Sequence, residues 1–168
     1  MGTASRKTER RREAKAPLLV DPVRAAGLPH SLDILPDAIG YALRRAQLAV
    51  YADFIASLED LDLRPSQFGV LVVIDANPGL SQRDVCELLS LKQANLVTML
   101  HELADRDLTE RRESARDQRS RALHLTAKGQ ELLQRARLAW KKHEDRIIRR
   151  LGPENREQLL GLLRRLGG

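Results

Sequence analysis

The chain has 168 residues, room for one domain with extensions, and its mix of 42% hydrophobic and 31% charged residues is that of a soluble globular protein. Aromatics are only 3%, so the core must be built from Leu, Val, Ile and Ala, which favours helices over a β-sandwich. A formal charge of +6, from 29 basic and 23 acidic residues, suits a polyanionic partner, while a single cysteine excludes an internal disulfide and makes a Cys-based zinc site implausible.

Residues 1–30 open with "MGTASRKTERRREAK", six basic residues against two acids with no apolar run behind them. This is not a signal peptide, and no 18-residue apolar stretch follows that could span a bilayer, so a cytoplasmic protein with no membrane partner is expected. Gly2 does not read as a myristoylation site, because Arg6 stands where Ser or Thr is expected. The segment reads as a basic, flexible arm. Whether it is only a solvated tail or reaches DNA or a partner subunit stays open.

The body, 31–62, begins with a helix whose stripe runs through Ile39, Leu43, Ala46, Val50 and Phe54. A second helix starts near Pro65 and stops at Asn77-Pro78-Gly79; the run Val70 to Ile74 resembles a strand, but its flanks favour a buried helix. Ser81 caps a short helix with Val85, Leu88 and Leu89 on one side, and Ser90 lies in the break after it. The next helix turns Leu96, Val97, Leu100, Leu103 and Ala104 inward, which completes a helix-turn-helix pattern. Asp107 follows at the place of a left-handed stop.

"LTERRE" and "SRALHLT", separated by polar "SARDQR", read as a β-hairpin with a basic tip. Thr126 then caps a long helix with Leu133, Ala136, Trp140, Ile147 and Leu151 along its stripe. Gly152-Pro153 restarts a last helix that carries Leu159, Leu160, Leu162, Leu163 and Leu166.

This order, and above all "LHELADRDLTERRESARDQRSRALHLTAKG", resembles the MarR family of bacterial winged-helix transcription regulators over about Leu35 to Leu166. Asp-x-Arg (Asp117, Arg119) precedes Leu-Thr-x-x-Gly (Leu125, Thr126, Gly129) as it does there; Asp107 replaces the usual Gly, and Thr109 an aliphatic residue. The resemblance implies a mainly α fold with a small β-wing: a winged helix-turn-helix domain flanked by N- and C-terminal dimerisation helices. The organisation expected is an arm at 1–30, the first helix at 31–62 as part of the dimerisation region, the DNA-binding domain at 63–125 and dimerisation helices at 126–168. The apolar last helix agrees with a dimer, although such helices can also cover their own core.

A recognition helix fits the major groove, and the polar face Ala94, Asn95, Thr98, with Lys92 and Gln93 at the exposed end, is the candidate reader. Asn and Gln can pair bidentately with adenine, a Thr methyl can meet a thymine methyl, and Lys92 suits phosphate. The bland alternative is a solvated helix surface. Ser66, Gln67, Ser81, Gln82 and Arg83 sit at helix starts suited to phosphate, with simple capping an equal alternative. In the wing, Arg119 is expected in the minor groove with Asp117 orienting it, and Arg112 and Arg116 nearer phosphates.

The family's effector pocket maps onto Tyr41, Arg44, Arg45, Phe68 and Val72, where an arginine beside an aromatic suits an anionic aromatic acid or its thioester. The expected function is a homodimeric repressor on a pseudo-palindromic operator, released by such a small molecule. The alternative is a thiol-based redox-sensing regulator of the same fold using Cys86, although that residue reads better as a buried structural cysteine. No cofactor or metal is expected. An enzyme is disfavoured: His30, His101, His124 and His143 are scattered, and no HExxH, GxSxG, P-loop or GxGxxG occurs. RNA binding is disfavoured by the scarcity of stacking aromatics.

Overall fold

Among the described residues, the turns between helices fall where the sequence carries capping or left-handed chemistry. The structure, a computed structural model, describes residues 31–113 and 121–167. In chain order these form α1 (Ile39–Leu58), α2 (Pro65–Ala76), α3 (Gln82–Leu89), α4 (Gln93–Asp105), β1 (Thr109–Glu113), β2 (Arg121–Leu125), α5 (Ala127–Leu151) and α6 (Arg156–Gly167). Asp62, Ser90 and Asp107 adopt positive φ at the turns after α1, α3 and α4. Asp tolerates that region better than most residues, so Asp107 makes the stop expected of it.

The chain divides into two compact units, 1–52 and 53–168. The first holds a 3-10 turn, Leu35–Asp37, and the N-terminal part of α1. Its apolar side chains are not buried as the stripe implied: Ile39 is 71% exposed and Val50 36%. An apolar stripe is buried only where another surface covers it.

The second unit is built on one core that joins Leu58 to α2, α3, α4, the hairpin and α5, with Val70, Leu71, Ile74, Val85, Leu96, Leu103, Leu123 and Leu133 at its centre. Val70 to Ile74 is helical, as its flanks favoured. β1 and β2 pair antiparallel with Thr109 opposite Leu125 and Glu113 opposite Arg121. The backbone of Gly79 and Leu80 bonds to both sides of Leu123, at 3.0 and 2.9 Å, and so fixes the hairpin to the loop before α3.

Three helix faces differ from the expected stripes. Leu88 is 60% exposed while Val85 and Leu89 turn inward; Ala104 is exposed and Met99 takes its place in the core; Trp140 is 42% exposed while Leu132 and His143 are buried. In each case the position of the facing element decided which side chain was covered.

The Leu-Thr-x-x-Gly motif now has a physical reading. The Thr126 hydroxyl accepts the Gly129 N–H at 3.0 Å as N-cap of α5 and donates to the Asp107 carbonyl at 2.7 Å. A Cβ on Gly129 would lie 2.0 Å from the Leu108 carbonyl oxygen, so only glycine lets α5 pass this close. Arg106 closes the same corner by donating to the carbonyls of Asp62 and Leu61 at 2.6 and 3.1 Å.

Candidate nucleic-acid interface

The helix-turn-helix is held by its ends. Ser81 and Asp84 form a reciprocal cap: the Ser81 hydroxyl accepts the Asp84 N–H at 3.2 Å, and the Asp84 carboxylate accepts the Ser81 N–H at 2.9 Å. The hydroxyl and backbone of Ser81 hold the Asp84 carboxyl below the usual aspartate range. After α3, Ser90 takes φ +50° and the Leu91 N–H returns to the Cys86 carbonyl at 2.9 Å, which launches α4 in a new direction.

On α4 the two faces separate cleanly. Leu96, Met99, Leu100 and Leu103 are buried, whereas Lys92, Gln93, Ala94, Asn95 and Thr98 are exposed. The Lys92 side chain makes no cap and the Thr98 hydroxyl donates to the Ala94 carbonyl at 3.1 Å. Lys92, Gln93 and Asn95 thus keep polar groups for a partner, and Thr98 keeps its methyl.

The helix-start residues sort by their contacts. Ser66 is exposed beside Pro65 at the start of α2. Gln67, for which phosphate contact and simple capping were equal readings, is only 3% exposed and takes the capping role. Its amide oxygen accepts the Arg64 N–H at 3.1 Å and its amide nitrogen donates to Glu102 at 2.9 Å, so both ends are used inside the protein. Ser81 is committed to its cap, and Gln82 lies half-buried in the first turn of α3. Arg83 is almost fully exposed and pairs with Glu87 at 2.9 Å, which raises its pKa above the ordinary arginine value.

In the wing, Arg112 lies on β1 and pairs with Glu110 two residues away. Arg116, Asp117 and Arg119 fall outside the described residues. Thr109, where the family pattern has an aliphatic residue, is 6% exposed.

The effector candidates fall in both units. In the first, the Arg45 guanidinium lies 6.0 Å from the centre of the Tyr41 ring, and Arg44 is exposed. In the second, Phe68 is buried edge-on to Phe54 at 5.5 Å and 84°, and Val72 is half-buried one turn further along α2. Cys86 is half-buried and packs against the core from α3.

Sequence reasoning passed over one buried polar cluster. His143, 2% exposed on α5, stacks on Phe54 at 4.9 Å and 11°, and its Nδ1–H donates to Asp53 across 2.6 Å. Arg146 donates to both Asp53 oxygens at 3.1 and 2.8 Å and also reaches the Ser57 hydroxyl. The Arg146 guanidinium and then His143 hold the Asp53 carboxyl below its usual range against the opposing effect of burial. The readable signal was the pairing of an Asp53/Ser57 step at i,i+4 with a His143/Arg146 step at i,i+3, each on one helix face.

Comparison with known proteins gives a consistent answer. A family model described as MarR family matches residues 61–120. A relative from Thauera aromatica, called a putative transcriptional regulatory protein for the hcr operon, is 32% identical over 129 residues, 76% of this chain and 78% of that protein. The transcriptional repressor CouR bound to a 23-mer DNA duplex is 39% identical with a TM-score of 0.79, over 84% of this chain and 100% of that one. The same repressor bound to p-coumaroyl-CoA is 39% identical with a TM-score of 0.76, over 82% and 96%.

Proposed function

Because the chain belongs to the MarR family of transcriptional regulators, we propose that it represses its target genes by binding a pseudo-palindromic operator as a homodimer and is released by a small anionic aromatic effector. The observation that carries DNA recognition is α4, with an exposed polar face over a buried apolar one and a two-stranded wing after it. Gln93 and Asn95 read base edges, Thr98 offers a methyl, and Lys92 meets phosphate. Arg83, Ser66 and Arg112 contact the backbone, and Arg119 enters the minor groove with Asp117 orienting it.

Dimerisation is supported by α6, where Leu159, Leu162, Leu163 and Leu166 remain 37%, 47%, 40% and 61% exposed. Such a face in one chain is a surface for a second. Two recognition helices then meet half-sites about 34–36 Å apart.

The effector reading is supported by the CoA thioester bound to the similar repressor and, within the first unit, by the Arg45 guanidinium over the Tyr41 ring, a cation beside an aromatic that suits an aromatic acid or its thioester. The thiol alternative gains nothing from Cys86, which is half-buried against the core. No helix among the described residues is long and apolar enough to cross a membrane; we place the regulator in the cytoplasm, with its DNA. Fluorescence anisotropy of a duplex selected from a randomised library is the test. Saturable, salt-dependent binding that far exceeds binding to random sequence is expected, and equal affinity for both duplexes would reject a sequence-specific regulator.

A further inference from the structure

We propose that Arg64, the residue before α2, is a DNA-backbone contact, and that Glu102 on the recognition helix together with Gln67 positions it. This rests on the DNA-binding reading above and names a residue that reading did not use.

Arg64 donates to Glu102 through one terminal nitrogen, and the same carboxylate oxygen accepts from Gln67 at 2.9 Å. Gln67 in turn accepts the Arg64 backbone N–H at 3.1 Å, so three residues close a ring between the start of α2 and the last turn of α4. The ring has a buried base and an open top: Gln67 is 3% exposed, while the Arg64 and Glu102 side chains are 60% and 40% exposed. Glu102 is therefore held from beneath, and Arg64 lies over it facing water.

Beside this pair runs a groove of about 330 Å³ lined by Arg64, Ser66, Asn95, Thr98 and Glu102. Asn95 and Thr98 belong to the face assigned to the bases. A cation on the rim of that groove meets the phosphates that flank the bases they read. A guanidinium has five N–H donors, and Glu102 engages one nitrogen, so donors remain for a phosphate oxygen.

An exposed ion pair adds little stability. Its effect here is to restrict a long side chain to one direction before DNA arrives, so less rotamer freedom is lost on binding. The acid costs some repulsion toward phosphate, and this makes the proposal testable by sign.

The test uses the full-length chain, a duplex it selects from a randomised library, and a random-sequence duplex of equal length, titrated with salt. Arg64→Ala should weaken binding to both duplexes by a similar factor. It should also lower the slope of log affinity against log salt by about two for a dimer, one contact per subunit. Arg64→Lys should keep the slope. Glu102→Gln removes a negative charge yet should weaken binding, and adding it to Arg64→Ala should change little further. Unfolding curves confirm that the variants are folded. An unchanged slope in Arg64→Ala, or Glu102→Gln binding as tightly as the parent or tighter, overturns the proposal alone. A parent chain that selects no duplex overturns the DNA-binding reading with it.

Discussion

Gly129 has no room for a methyl group, because the Leu108 carbonyl oxygen would lie 2.0 Å from it. Gly129→Ala should therefore cost about 1–3 kcal/mol, as overpacking does, and appear as a lower urea midpoint with an unchanged slope. Asp53 makes stability depend on pH. Arg146 and His143 hold its folded-state pKa below the unfolded value of about 3.9, so as pH falls the unfolded chain takes up this proton first. The stabilisation is complete above that value and is lost as pH falls through the lower folded one. Asp53→Asn should flatten acid unfolding in this window and cost about 1–3 kcal/mol at pH 7, both measurable by denaturant titration across pH. The role proposed for Asp117 toward Arg119 can be tested by the sign of its effect. If Asp117 orients Arg119, Asp117→Ala weakens operator binding although it removes a repulsive charge, and Asp117→Ala/Arg119→Ala is hardly worse than Arg119→Ala. Tighter binding by the single variant across a salt titration would show the wing charges to be interchangeable.

Among the elements, the roles proposed for α4 predict two different responses to substitution. Asn95→Ala should relax preference at one base step by about 1–3 kcal/mol, the loss expected for a bidentate contact. Lys92→Ala should weaken all duplexes alike and lower the salt slope by roughly one per subunit. Equal losses on selected and random DNA for Asn95→Ala would remove it from base reading. For α6, the exposed leucines predict that deleting residues 151–168 yields monomers or insoluble protein and abolishes operator binding. An intact dimer by light scattering after that deletion would place the interface elsewhere.

For the molecule as a whole, effector control predicts that some aromatic acid or CoA thioester raises the thermal midpoint of the dimer and lowers its operator affinity. The two effects are linked, since a ligand that favours one dimer conformation must disfavour what the other binds. Arg44→Ala should blunt both responses; an unaltered response would remove that residue from the pocket.

The chain by itself determined the features that depend on neighbours in sequence. The caps at Ser81 and Thr126, the left-handed stop at Asp107, the pairing of the two hairpin strands and the presence of each helix were legible, because each is a contest between residues near in sequence. The family was legible for the same reason, since its motif is a local run. What only the tertiary structure decided is which residue of an amphipathic helix is covered. Met99 rather than Ala104 entered the core, Trp140 stayed outside, and Gln67 became a buried cap that also bridges to Glu102. The helical spacings of Asp53/Ser57 and His143/Arg146 are visible in the chain, but nothing local says that Asp53 meets His143, 90 residues away, or that Arg64 meets Glu102, 38 away. Burial and ion pairing depend on the element that packs opposite. That partner lies far along the chain, and its position follows from packing the whole core.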